Sequence, residues 1–518
     1  MSALAFKQIM KQFNSFIFNL FYIKSFFLLK KIFPILLALF IAQIISTTFV
    51  YISNIRIYKN TQAIIKTGYL SVPNKHVLPA LEDVSTAFLG GLFFTFSSGM
   101  FLILFSYFST WTIKRHLANK KALFFLFLLW LFLIIISNQN GIAPIAICYF
   151  SIIPFVVFIY VIKKIPDVYV TYRKSNFFLH IIFFFIFVLT CLYFIKIDSF
   201  IKIRDNMLFS NPFGKKINNF YYEYSIYPAQ IFKPVEKKIL KTCDLSDIDN
   251  KDTANAIEKK LLLHHYINTH KNPNADLKIS NIGDNLIFTK FNKPVLNINI
   301  NFFLDNTNFV LHNFSQKSDC YTFFRIFTFF SIIALIAFFI YIFIFITFSL
   351  LIKLLIVKLK LEKKIIFLNF ITAVFLVFWI FSEKPHNVNI SDLNNALNSN
   401  AFHTRLEALK HVYKNKIEIS CYNVCQKMMQ SKLVPERYML AKVLGVSRDP
   451  NTLKNLVKLA NDRQINVACM AFYSLGKRRD KMMIKNIIKQ IQTSTIWYTQ
   501  LYAYTALKNL KWTQTKSK

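Results

Sequence analysis

Seven apolar stretches punctuate the chain, at 32–52, 88–108, 122–137, 142–162, 177–195, 324–352 and 365–381. A bilayer core asks for about 20 apolar residues per helix, so each stretch predicts a membrane-spanning helix. The sixth is longer than a bilayer needs and should tilt or project. The third and seventh are short but strongly apolar. Between the fifth and sixth the pattern changes. Leu277 and Ile279, Leu286 and Phe288, and positions 296–303 alternate with polar residues between Asn, Gly, Asp and Pro turns. That predicts about three strands. Helical spacing predicts helices over 228–240, with Pro228 at an early position, and over 254–267.

Composition supports the membrane class. The chain has 518 residues, 54% of them hydrophobic, with 59 Phe and a mean hydropathy of +0.39. A water-soluble fold could not hide that much apolar surface. Formal charge is +38, and its placement sets an orientation, because Lys and Arg collect on the cytoplasmic side. Lys7, Lys11, Lys24, Lys30 and Lys31 precede the first stretch. Lys114, Arg115, Lys120 and Lys121 fill the second loop, Lys163, Lys164, Arg173 and Lys174 the fourth, and Lys353, Lys358, Lys360, Lys363 and Lys364 the sixth. Residues 138–141, the third loop, carry no charge. The N-terminus is therefore expected in the cytoplasm, with the insert and the tail outside, in a multi-pass protein of the cell inner membrane. The first loop fits least well, with Arg56, Lys59, Lys66 and Lys75 against Glu82 and Asp83. One miscounted span would return the tail to the cytoplasm. The first stretch follows an amphipathic lead at 13–29 and no small-residue cleavage site follows it, so it reads as an uncleaved anchor. Basic residues are dispersed rather than clustered, and no nucleic-acid partner is expected.

Candidate chemistry is sparse. No stretch holds Asp, Glu, Lys or Arg at depth, which argues against a proton-coupled pump. His180 reads as an interfacial histidine, and Asn369 is the other notable polar residue. Gly90, Gly91 and Gly99, with Ser97 and Ser98, give the second stretch a small-residue face suited to helix–helix packing. His264, His265 and His270 lack a completing carboxylate. Asp244, Asp247, Asp249 and Asp252 lack the Gly and Glu of a calcium loop and read as a solvated acidic loop. Glu82 and Asp83, just before the second stretch, read as helix-start charges. No catalytic residue, metal or cofactor is expected. Cys243 and Cys320 are a candidate disulfide closing the insert end to end. Cys421 and Cys425 are spaced for one helix face, and Cys469 for a core. The aromatic segment at 211–224 is expected at headgroup level on the outer membrane face.

The tail repeats itself. Val443-Leu444-Gly445 recurs as Ser474-Leu475-Gly476 and then as Ala506-Leu507, a period of about 31 residues. Asp449 and Asp480 follow at the same interval, and Leu453, Leu456 and Val457 map onto Ile484, Ile487 and Ile488. Residues 435–510 resemble HEAT-like repeats of the short, phycobilin-lyase type, whose usual unit carries A-x-x-A-L-G followed by an Asp turn. The resemblance covers the last quarter of the chain, and the first and last units lack the Gly. It implies Leu444, Gly445, Leu475, Gly476 and Leu507 as repeat core and a curved surface for a protein partner. It does not imply lyase activity. The membrane part resembles no family.

The expected fold is a polytopic α-helical membrane protein of about seven transmembrane helices, with an α+β extramembrane insert and a C-terminal α-solenoid. Its parts are a cytoplasmic lead at 1–31, a five-helix membrane region at 32–195, the insert at 196–323, two further helices at 324–381 and the repeats at 390–518. The expected function is an integral membrane scaffold or accessory subunit of a bacterial-type envelope complex, touching membrane lipid and binding a protein through its repeats. A transporter or channel component, or an envelope enzyme acting on lipid or glycan, is the alternative.

Overall fold

The structure, a computed structural model, describes residues 3–114, 120–164, 174–194, 201, 204–209, 211–355, 362–381 and 392–516. Over its described residues every apolar stretch falls on helix, apart from 142–143. Four helical segments are long and apolar enough to cross a membrane: Phe33–Lys66, Val84–Thr112, Pro144–Lys164 and Thr322–Phe348. Three further apolar segments, Lys121–Ser137, Leu179–Phe194 and Ile365–Phe378, are shorter. The first helix runs unbroken through Ala3–Lys66. Arg56, Lys59 and Lys66, expected on a loop, are therefore its last turns. Phe329, Phe339 and Phe343 stand exposed along Thr322–Leu355. Such a surface suits lipid, since water-soluble proteins rarely expose large apolar patches.

The chain divides into two compact units, Met1–Ser46 with Gly91–Phe185 and Thr322–Ile366, and Thr47–Gly90 with Ile186–Tyr321 and Phe367–Lys518. The first unit is a helical bundle whose centre is aromatic and polar. Phe150 packs edge-on against Phe324 and Phe327. Gly99 lies in a π-helical turn, Thr95–Gly99, where a Cβ would come within 3.2 Å of the Ala42 Cβ. Thr95 donates to Gln43 at 2.7 Å, Ser46 bonds the Tyr149 hydroxyl, and Ser98 pairs with Thr328 at 2.8 Å. Hydroxyl and amide groups buried among apolar helices need such partners. His180 sits 3.2 Å from the Tyr341 hydroxyl and edge-on to Phe345.

The second unit holds the insert's sheet and the tail. Five strands, β1 (Lys241–Asp247), β2 (Tyr266–Asn268), β3 (Leu277–Ile282), β4 (Asn285–Lys290) and β5 (Lys293–Asn299), pair in the order β2-β1-β3-β4-β5. Strand β1 is parallel to both β2 and β3, whereas β3, β4 and β5 are antiparallel. Helix Lys251–Leu263 makes the crossover that a parallel pair requires. The alternation seen in sequence puts Leu277, Ile279, Leu286 and Phe288 in the core with Ile257 and Phe314.

Several expectations change here. β1 and β2 lie where an acidic loop and a helix end were expected. The helix anticipated over 254–267 starts at Lys251, behind the N-cap side chain of Asn250, and stops at Leu263. His265, at φ 60, turns the chain into β2. The helix anticipated over 228–240 is the short Ile226–Ile231 followed by a single turn at Val235–Lys237. Pro234 disfavours helix at the residue before it. The Cys243–Cys320 disulfide is not formed, and all described cysteines are thiols. Cys243 is fully buried on β1 in the sheet core, while Cys320 sits in a part-exposed turn. Cys421 and Cys425 do not share a helix either, because Asn423, at φ 48, separates the turn Ile419–Tyr422 from helix Cys425–Met429.

In the tail, helices Phe402–Asn415, Val434–Leu444, Ile465–Arg478 and Trp497–Asn509 pack each on the next. Cys425–Met429, Asn451–Leu459 and Ile484–Thr493 alternate with them. Leu444, Leu475 and Leu507 are buried in one cluster. Arg405 reaches Glu436 of the following helix at 2.6 Å and 3.2 Å, a two-pronged ion pair. Close stacking explains the glycines: a Cβ on Gly445 would meet Ser474 Oγ at 2.6 Å, and one on Gly476 would meet the Ala506 Cα at 2.8 Å. Gly476→Ala should cost about 1–3 kcal/mol by overpacking. Denaturant unfolding of the detergent-solubilised protein should show this as a lower midpoint, and an unchanged midpoint would mean the helices are not in contact there.

Candidate functional site

Three stretches far apart in sequence meet in the second unit. The connection at 67–77 after the first helix closes one end of the tail. Asn74 donates through its side-chain amide to the carbonyls of Ile491, Gln492 and Ser494 at 2.7, 3.1 and 2.9 Å. These lie at the C-terminal end of helix Ile484–Thr493, where carbonyls lack helical partners. The Asn74 backbone N–H donates to the buried Gln500 at 2.9 Å. Gln514 brackets Leu70, donating to its carbonyl at 2.8 Å and accepting from its N–H at 3.2 Å.

The insert contributes the second set of contacts. Arg204 pairs with Asp205 at 2.8 Å and lies 4.1 Å above the Tyr438 ring. The aromatic segment forms helix Pro212–Tyr224, capped by Asn211, which accepts from the Gly214 N–H at 2.7 Å. One face of it rests on the tail. Asn218 donates to Asn466 at 2.8 Å, Tyr222 packs on Tyr498, and Tyr227 beyond it packs on Trp497. The other face leaves Phe213 and Tyr221 73% and 50% exposed. Gly90 also faces the insert rather than a neighbouring span, since its Cβ position lies 3.1 Å from Pro228 Cδ. Gly91 is buried, and its carbonyl accepts from Thr95 at 3.2 Å.

The sheet supplies the third. His265 meets the Tyr504 hydroxyl at 3.2 Å, and Asn272 donates to Asn60 of the first helix at 3.0 Å. Burial, then repulsion from Lys508 and Lys241, pushes His265 down to about 4, so it is neutral. Lys233 and Lys241 are both pushed down to about 8. Burial is the main cause for each, followed by neighbouring lysines.

Other singled-out residues go elsewhere. Asp83 accepts from the Ser85 and Thr86 hydroxyls and N–H groups, which hold its carboxyl down to about 2 and make it a helix cap. Asp247 pairs with Lys278 at 2.8 Å, and Asp244 accepts from the Lys271 N–H at 3.0 Å. Among the described residues no group of three His, Cys, Asp or Glu could hold a metal. Asn369 is fully buried, with no hydrogen-bond partner among the described residues. The alternate helices of the tail stay open. Lys427, Lys458 and Lys489 recur there at the repeat interval, as do Lys454 and Lys485, and all five are exposed. A groove of about 210 Å³ beside Lys489 is lined by Val457, Phe472, Leu475 and Met483.

Asn74, Gln500 and Gln514 carried no signal in the sequence. The repeat interval of the lysines could have been found there. Comparison with protein-family models, curated proteins and solved structures finds no match.

The buried lysines give the unit a pH dependence. Lys241 titrates near 8 when folded and near its ordinary 10.5 when unfolded. Below pH 8 both states are charged and the full burial cost is present. Between about 8 and 10.5 the unfolded state binds more protons, so stability rises with pH. Lys508 and Lys238 repel Lys241, while Asp276 and Glu236 attract it. Urea unfolding from pH 7 to 10 should show this rise, reduced in Lys241→Met. A flat profile in the parent protein would contradict the buried charge.

Proposed function

We propose that the protein is an integral membrane scaffold or accessory subunit of an envelope complex, with seven crossing helices and a cytoplasmic N-terminus. Its extracytoplasmic body is made of the first connection, the insert and HEAT-like repeats. The observation that carries this reading is the packing of those three stretches together through Asn74–Gln500, Asn218–Asn466 and His265–Tyr504. Segments that touch must lie on one side of a bilayer, so an even number of crossings must separate each from the next. Counting seven gives four crossings between the first connection and the insert and two between the insert and the tail. Counting only the four long segments leaves one crossing, Thr322–Phe348, between insert and tail, and the two could not meet. The parity therefore supports a crossing at Ile365–Phe378 as well.

Periodic stacking with close glycine contacts supports the HEAT-like reading of the tail. The repeat face carrying Tyr438, Asn466 and Tyr498 is already covered by the insert. The lysine-bearing helices are the surface left for a protein partner, which would present acidic side chains. Exposed Phe213 and Tyr221 on helix Pro212–Tyr224 fit the headgroup level of the outer face. A transporter reading would draw on Gln43, Ser46, Thr95 and Tyr149, yet these groups bond one another and serve as polar glue between helices.

Cys421 is exposed and native to the tail, so a membrane-impermeant maleimide reports its side. Spheroplasts should label it from outside, with the signal lost in Cys421→Ser. Labelling only after lysis would put the tail in the cytoplasm and end the seven-span count. Lys458→Glu with Lys489→Glu should remove proteins that co-purify with the parent chain while leaving membrane insertion intact. Undiminished recovery would reject the lysine-bearing helices as the partner surface.

A further inference from the structure

Helix Pro212–Tyr224 has three faces. Gly214, Asn218 and Tyr222 lie on the packed one, where Asn218 meets Asn466 and Tyr222 meets Tyr498. Lys216, Asn219 and Glu223, at i, i+3 and i+7, form an exposed polar face. Phe213, Ile217, Phe220 and Tyr221, at i, i+4, i+7 and i+8, form an apolar face, and all four stand exposed. Phe220 packs on Tyr224 at 4.9 Å, which carries the stripe to the end of the helix. Single exposed apolar residues need no explanation, whereas a continuous stripe marks a contact. Apolar and charged faces divided along one short helix suit a position in the plane of a membrane interface.

Two contacts put the insert at the level where apolar helices leave lipid. Gly90 lies within the first two turns of Val84–Phe94, which opens the long apolar segment Val84–Thr112. A Cβ there would come 3.3 Å from the Tyr224 carbonyl oxygen and 3.1 Å from Pro228 Cδ, so the last turn of Pro212–Tyr224 rests against the start of that segment. Val84 and Phe88 beside it are exposed too. The second contact is Phe291, 54% exposed at the tip of the β4–β5 hairpin. The Arg56 guanidinium lies 4.4 Å from the centre of its ring, and Lys290 Nζ lies 5.6 Å from it. Arg56 stands one turn beyond the apolar stretch 32–52 of the first helix. Phe291 and Asn292 take φ 50 and 59, a two-residue turn for which Asn and Gly are the favoured residues. The turn itself does not call for Phe. An exposed aromatic ring flanked by cations suits the headgroup level, where the ring meets acyl chains and the cations meet phosphates.

We propose that the insert is seated on the bilayer at two points. The stripe of Phe213, Ile217, Phe220 and Tyr221 sinks to the boundary of headgroups and acyl chains, and Phe291 beside Arg56 makes the second contact. The occupant of both is lipid. Continuity of the stripe with the start of Val84–Thr112, through Tyr224 and Gly90, favours lipid over a second protein. The polar face keeps Lys216 and Glu223 in water, while the packed face holds Asn466 and Tyr498. One helix thereby ties the repeats to the membrane surface. This seat rests on Val84–Thr112 being a crossing helix, and it adds a defined lipid contact to the scaffold role.

The test uses the full chain in phosphatidylcholine nanodiscs. Cys148→Ala, Cys320→Ser and Cys421→Ser remove the thiols that are not buried. Single nitroxide labels are then carried by Phe213→Cys, Tyr221→Cys, Phe291→Cys, Lys216→Cys and Asn219→Cys, with Phe96→Cys on the exposed side of Val84–Thr112 as the lipid reference. Power saturation reads collisions with oxygen, which concentrates in lipid, and with a water-soluble nickel chelate. Labels at 213 and 221 should lose nickel collisions and lie about 5–10 Å below the phosphates. The label at 291 should lie at the phosphates, and those at 216 and 219 should keep their nickel collisions. Nickel access at 213 and 221 equal to that at 216 and 219, with the label at 96 in lipid, overturns the seat and leaves the crossing helix standing. Exclusion of both reagents at 213 and 221 means that protein covers the stripe, and overturns it as well. Nickel access at 291 equal to that at 219 overturns the two-point seat. Nickel access at 96 overturns the crossing helix itself and the seat with it. Should Phe213→Cys fail to fold, Tyr221→Cys and Ile217→Cys decide the matter.

Discussion

Asn74 satisfies three carbonyls at the end of one tail helix while its own N–H is taken by Gln500 of the next. Gln514 does the same for the backbone of Leu70. These are buried or part-buried polar groups, and leaving such a group unpaired costs about 1–3 kcal/mol. Neither the connection after the first helix nor the end of the tail could close without the other. Apolar burial follows the same pattern: Val72 and Leu81, Ile226 and Tyr227 of the insert, and Leu507 of the tail belong to one buried cluster. The unit is a joint product of three stretches, and any account of how the chain crosses a bilayer must leave them on one side.

That constraint also explains where the polar residues of the tail went. One row of tail helices presents Tyr438, Asn466 and Tyr498, and the insert covers them with Arg204, Asn218 and Tyr222. Surface that a free-standing repeat array would offer to another protein is used within the chain. The alternate row keeps its lysines in water. Charge is divided accordingly, with exposed lysines spaced at the repeat interval in one place and Lys241 buried on β1 in another. Solvent screens the former, while the latter is held where screening is weak.

Much of this was legible from local pattern. The apolar stretches, the strands β3 and β4, and the stacked helices with Gly445 and Gly476 follow from periodicities that a chain displays whatever it touches, whereas the strand expected over 296–303 is β5 only as far as Asn299, whose side chain caps the helix Ile300–Asp305. Asp83 as a helix cap was legible for the same reason, since its partners Ser85 and Thr86 are its neighbours. Strand β1 was not. Its sequence, Lys-Thr-Cys-Asp-Leu-Ser-Asp, reads as a loop, because the groups that make Thr242 and Asp244 tolerable inside, Asp276 and the Lys271 N–H, come from about 30 residues away.

The sequence by itself determined the long apolar helices, the strands β3 and β4 and the stacked helices of the tail, because side-chain periodicity and apolar length act within a few turns of chain. Tertiary structure alone decided the rest. It set the fate of Cys243 in the sheet core, the burial of Lys241, the seating of helix Pro212–Tyr224 on the tail and the meeting of Asn74 with Gln500. Each depends on a partner hundreds or tens of residues distant, and a buried hydrogen bond or charge has no signature until the partner is in place.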